Sequence, residues 1–115
     1  MAFTVKAIKN ITASLTLSGA DVYTCPASRV AKITHLQVAN AGATDTEVSL
    51  KIYDASDART VYLAKAVTVP VSAAFKAVGD CSGIWLETGD KVNAAAVTNG
   101  SLDLVIGIME YGLPE

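Results

Sequence analysis

Ile84-Trp85-Leu86-Glu87-Thr88-Gly89-Asp90-Lys91-Val92-Asn93-Ala94-Ala95-Ala96-Val97-Thr98-Asn99-Gly100-Ser101-Leu102-Asp103-Leu104-Val105-Ile106-Gly107-Ile108 is the stretch whose reading decides the fold. Its last run alternates. Leu102, Leu104, Ile106 and Ile108 fall on one face, and Asp103, Val105, Gly107 and Met109 on the other. That period of two belongs to a β-strand with one face on a core. Asn99-Gly100 between two strand-like runs is a strong short-range hairpin signal, and Thr88-Gly89-Asp90 predicts a second tight turn. In the first run Ile84 and Leu86 point inward, which sets Trp85 on the outer face.

The same period extends through the rest of the chain. Phe3 to Ile8 alternates and reads as a first strand or as an N-terminal arm (residues 1–10). Leu15 and Leu17 share the core side of the next run. Val22-Tyr23-Thr24-Cys25 is a short strand stopped by Pro26, which cannot donate to a ladder. Val30 to Ala39 is a long β-prone run in which Ile33 is out of phase with Leu36 and Val38; a bulge near Thr34-His35 restores it. Glu47 to Tyr53 alternates cleanly, with Val48, Leu50 and Ile52 inward, and is expected to pair with Val30–Ala39. Thr60 to Val69 carries Val61, Leu63, Val67 and Val69 inside and ends at Pro70. Val71 to Val78 reads as a strand more readily than as one helical turn. Tyr111 to Glu115 reads as a tail. About eight short strands with frequent turn signals and no amphipathic helix predict a single all-β domain, an antiparallel β-sandwich or jelly roll.

The totals agree with one core. At 115 residues the chain is long enough for one domain and too short for two. Apolar residues make up 51% and charged residues 17%, which argues against disorder. With a net charge of −2 and no basic patch, nucleic acid is not an expected partner. The start Met1-Ala2-Phe3-Thr4-Val5-Lys6 has no signal-peptide pattern, and no apolar run reaches the ~20 residues of a membrane helix. Folding in a cytoplasm is the expectation. There Cys25 and Cys81 are expected as free thiols, with a bridge as the alternative.

No catalytic constellation is visible. His35 is the sole histidine, sits in a strand and has no partner at metal-ligand spacing. No strand-turn-helix serine elbow exists. Asp54-Ala55-Ser56-Asp57 offers oxygen ligands but lacks the 12-residue Ca²⁺ loop pattern, so solvated turn carboxylates are expected. Glu110 and the other carboxylates fall mostly beside turns. Asp90 caps its own backbone. No catalytic, cofactor or metal residue is assigned. Trp85 on an outer face reads as a subunit contact, with a core position or a sugar platform as alternatives. Tyr53, Val105 and Met109 join it on the outward set.

Two parts of the pattern carry a resemblance. One is Val30-Ala31-Lys32-Ile33-Thr34-His35-Leu36-Gln37-Val38-Ala39-Asn40, followed by an Ala/Gly/Thr loop and Val48-Ser49-Leu50-Lys51-Ile52-Tyr53-Asp54. The other is Ile84 to Val92 followed by Leu102 to Glu110. Together, over about two thirds of the chain, they resemble the small β-sandwich structural proteins of tailed bacteriophages. Those occur as capsid decoration (cement) proteins and as neck, tail or fibre components. The resemblance implies a non-enzymatic virion protein, without cofactor or membrane, whose partners are its own copies and the major capsid protein or other virion proteins. The expected contact residues are Phe3, Val5, Tyr53, Trp85 and Met109, with residues 2–8 as an arm that adds a strand to a neighbour's sheet. A carbohydrate- or receptor-binding module is the alternative, although 6% aromatic content is sparse for sugar stacking.

Overall fold

The structure, a computed structural model, describes residues 4–79, 83–98 and 100–112. Its regular elements are all strands: β1 (Thr4–Ser14), β2 (Ala20–Thr24), β3 (Arg29–Asn40), β4 (Thr46–Asp54), β5 (Arg59–Val69), β6 (Ala74–Val78), β7 (Ile84–Leu86), β8 (Lys91–Ala96) and β9 (Leu102–Gly112). They form the expected sandwich of two antiparallel sheets. The first sheet runs β1-β9-β3, with β6 and β7 both paired to the far edge of β3. The second runs β2-β8-β4-β5. Among the described residues no helix is long and apolar enough to cross a membrane.

The core follows from alternation. Leu102, Leu104, Ile106 and Ile108 of β9 and Ile33, Leu36 and Val38 of β3 form one buried cluster with Val48 and Leu50 of β4 and Val92, Ala94 and Ala96 of β8. Each fully buried Leu, Ile or Val contributes on the order of 1.5–3 kcal/mol relative to exposure. The small β8 side chains bring the two sheets close together, and the molecule is a slab of 50 × 27 × 19 Å.

Both turns of the deciding stretch lead somewhere other than expected. β7 belongs to the first sheet and β8 to the second, and β9 returns to the first. The Thr88-Gly89-Asp90 turn and the segment containing Gly100 are therefore corners between sheets, not hairpins. Asp90 holds the first corner. It is buried and accepts the Glu87 N–H at 2.8 Å and the Ala55 N–H at 2.9 Å, beside Gly89 at φ 91°. The pairing expected between Val30–Ala39 and Glu47–Tyr53 is likewise replaced. β3 and β4 lie in opposite sheets, because buried Asn40 ties the chain across the gap. Its amide donates to the carbonyls of Thr44 and Val69, both at 2.9 Å.

The predicted bulge is present: the β3–β9 register shifts between Ile33 and His35. Opposite it, a Cβ on Gly107 would stand 2.8 Å from Thr34 Oγ1, so this position on a central strand wants glycine. Thr4 to Ile8 of the first run and Ala13-Ser14 of the second lie on one strand, β1, which pairs with β9 within the same chain. Leu15 is buried but Leu17 is exposed. Val61 is exposed too, although it stands opposite inward-facing Ile52, because β5 is the edge strand of its sheet. Tyr111 and Gly112, read as the start of a tail, continue β9.

Candidate functional site

The two outer sheet faces are unlike. On the first sheet, register sets Ile8 beside Met109, Met109 beside Lys32, and Lys32 beside Trp85, so one row of side chains crosses β1, β9, β3 and β7. The next row is Val5, Tyr111 and Val30. Trp85 is 58% exposed and Ile8 74%, large values for side chains of this size. The Trp85 and Tyr111 rings lie 5.6 Å apart at 40°, and Lys32 Nζ sits 5.7 Å from the indole centre. The Tyr111 hydroxyl donates to Met109 Sδ at 3.1 Å. A shallow groove of about 400 Å³ runs between Val30, Trp85, Leu86, Glu87 and Tyr111.

The second sheet presents a polar face. Lys51 and Lys65 each hold an ammonium 5.3 Å from the Tyr62 ring centre, and Lys91 lies 5.8 Å from that of Tyr53. Asp21 answers part of this charge, at 3.9 Å from Lys91 and 3.1 Å from the Asn93 amide. A groove of about 450 Å³ includes Asp21, Lys51, Tyr53, Lys91 and Asn93 in its lining. The structure thus brings Val5, Trp85 and Met109 onto one face and puts Tyr53 on the opposite one. Phe3 lies outside the described residues.

Beneath the apolar face lies a feature that reading by turns missed. Glu110 extends the inward set of β9 (102, 104, 106, 108) by one step, and its side chain is 0% exposed. Three elements converge on it. The Tyr23 hydroxyl of β2 donates at 2.6 Å, Arg29 Nη1 of β3 donates at 2.6 Å, and Lys9 Nζ of β1 lies 3.1 Å away. Burial alone pushes this carboxyl upward, but the three donors outweigh it and hold it below the ordinary value. The same burial, with the carboxylate alongside, pushes the Tyr23 phenol up. The signal was available in the sequence, since a carboxylate in the inward phase of a strand needs a buried partner.

Among the described residues, a cysteine and a group of three carboxylates have side chains suited to chemistry. Cys25 is a buried free thiol whose sulfur points at the carbonyls of Arg29, at 3.4 Å, and Leu86, at 3.8 Å. Burial, then the charges of Glu110 and Asp90, push its pKa up, away from a reactive thiolate. Cys81 lies outside the described residues. Oxygens of Asp54, Glu87 and Asp90 come within 4.8 Å of one another. Both oxygens of Asp90 already accept backbone N–H groups, and Asp54 accepts from Ser56 Oγ at 2.8 Å.

No protein-family model matches this chain, and no curated protein does. Solved structures do. A protein of the Bacillus endospore appendages, described as disulfide-linked pili, is 12% identical with a TM-score of 0.56, over 99% of this chain and 93% of that one. A chain of the acid-stable capsid of Helicobacter pylori bacteriophage KHP30 is 12% identical with a TM-score of 0.55, over 99% and 92%. A pentameric capsid protein from metagenomic phage sequences, 16% identical with a TM-score of 0.45, matches 94% of this chain and 63% of that one. At these identities the likeness is one of fold, and the first two span nearly the whole of both chains.

Proposed function

We propose that this protein is a non-enzymatic structural subunit of a phage virion, a capsid decoration protein that self-associates and stabilises the head lattice. The observation that carries the reading is the apolar outer face of the first sheet, centred on Trp85, Tyr111, Met109, Val5 and Ile8. A face of this kind on a small domain is suited to burial against another protein. The fold shared with the KHP30 capsid chain agrees with it, as does the inert state of Cys25. A neck, tail or fibre position would use the same face. The aromatic–lysine face of the second sheet favours a different role, as a receptor- or glycan-binding module, because tyrosine rings beside a polar groove suit sugar stacking.

Trp85 is the only tryptophan, so its emission reports the apolar face directly. Light scattering across a concentration series should give a mass above 11.9 kDa, with a blue shift of Trp85 emission in parallel. Trp85→Lys should return the mass to that of one chain without changing the urea midpoint. Association with no change in emission would move the contact off this face, and a mass of one chain up to millimolar concentration would remove self-association.

A further inference from the structure

Sheet edges differ in how well they are closed. β2 and β6 are five residues long and β7 is three. β5 has eleven, but its register shifts twice against β4, and Ala66 on it has φ 51°. Short strands and bulges are the ordinary ways to blunt an edge. β1 has eleven residues, and its one register shift lies near its start, between Val5 and Ala7. From Ala7 to Ser14 its ladder with β9 is unbroken. Among the described residues, no backbone hydrogen bond outside that ladder touches residues 4–14. Alternate N–H and C=O groups along this run therefore point away from β9 with no described backbone partner.

Lysine is the other common guard of an edge. β1 has two, and both turn back over the sheet. Lys9 Nζ reaches inward to Glu110 at 3.1 Å. The Lys6 chain lies across Gly112, its Cε 2.6 Å from where a Cβ on Gly112 would stand. Ile8 ends the Trp85–Lys32–Met109–Ile8 row at this open edge.

We propose that β1 pairs antiparallel with β1 of a second copy of this chain, joining two five-stranded sheets across a two-fold axis. The inference rests on the self-association proposed above and gives it a specific edge. An isologous pairing with the axis through the sheet sets one residue opposite its own copy. Centred on Ile8, it puts Lys6 opposite Asn10 and Lys9 opposite Ala7. Centred on Asn10, it puts Lys6 opposite Ser14 and Lys9 opposite Ile11. Both registers keep like charges apart, whereas centring on Lys9 sets it against itself.

Backbone hydrogen exchange of the full chain, measured below and above the association midpoint, tests this. Amides within Ala7–Ser14 should slow at least about tenfold on association while those of β5 do not change. Asn10→Lys faces Lys6 in one register and its own copy in the other, so it should weaken association by at least about tenfold. Association with unchanged β1 exchange, or with Asn10→Lys as strong as the parent, overturns the edge and leaves self-association through the face standing. A protein that stays a single chain at every concentration overturns both.

Discussion

Glu110 shows what a single residue can hold together. It sits between the sheets and joins β1, β3 and β9 to β2 through Lys9, Arg29 and Tyr23. Its carboxyl is held below the ordinary 4.5, so the folded protein takes up that proton less readily than the unfolded chain. The stabilisation is complete above the unfolded value and is lost as pH falls through the folded one. Urea midpoints between pH 7 and pH 3 should therefore fall in the parent and fall less in Glu110→Gln. At pH 7 that variant should cost about 1–3 kcal/mol, moderated because Arg29 and Lys9 remain partly hydrated. Tyr23 gives the opposite sign. Its pKa is raised above 10.0, so its contribution is complete below about pH 10 and is lost progressively as pH rises above that towards the folded value. Tyr23→Phe should cost about 0.5–1.5 kcal/mol at pH 7 and flatten the decline seen in unfolding scans between pH 9 and 11.

Among the elements, the corners decide the topology. Asp90 accepts one N–H from its own turn and one from the β4–β5 loop, so it fixes where β8 enters the second sheet. Asp90→Ala leaves two backbone donors without their acceptor, and a loss of roughly 2–4 kcal/mol should appear in denaturant unfolding. Gly107→Val should cost about 1–3 kcal/mol by driving its side chain into Thr34 at the bulge. What the sequence reveals and what it hides divides along this line. Alternation located the strands, and the phase slip at Ile33 revealed the bulge, because both depend on neighbours in the chain. The pairing of β3 with β9 instead of β4 was not legible. A turn such as Thr88-Gly89-Asp90 says that the chain reverses, not whether it comes back to the same sheet. Trp85 was placed outward because Ile84 and Leu86 fixed its phase. Tyr53 was also outward, but the sheet it belonged to was beyond what period alone can tell.

The whole molecule is a slab with a radius of gyration of 14.5 Å, longer than the ~13 Å of a compact domain of this size. The long strands β1, β3 and β9 draw it out and give it two broad faces of different chemistry. If the apolar face and the β1 edge make the contact, association rests on dispersion, burial and backbone hydrogen bonds. Raising NaCl from 0.05 to 0.5 M, which shortens the screening length from roughly 14 to 4 Å, should then change the dissociation constant by less than about twofold. Ammonium sulfate should tighten it, since excluded salts favour burial of apolar surface. A contact through the lysine–tyrosine face would behave differently, weakening several-fold as its charges are screened. Trp85→Ala separates the faces by size of effect. A buried tryptophan at the centre of an interface costs about 2–4 kcal/mol when truncated, a loss of ~30-fold or more in affinity. Tyr62→Ala on the opposite face should leave the constant where it was. Sedimentation equilibrium of the two variants at both salt concentrations reads all of this, and a reversal of the pattern would turn the molecule over, putting the second sheet against its neighbours and Trp85 in solvent.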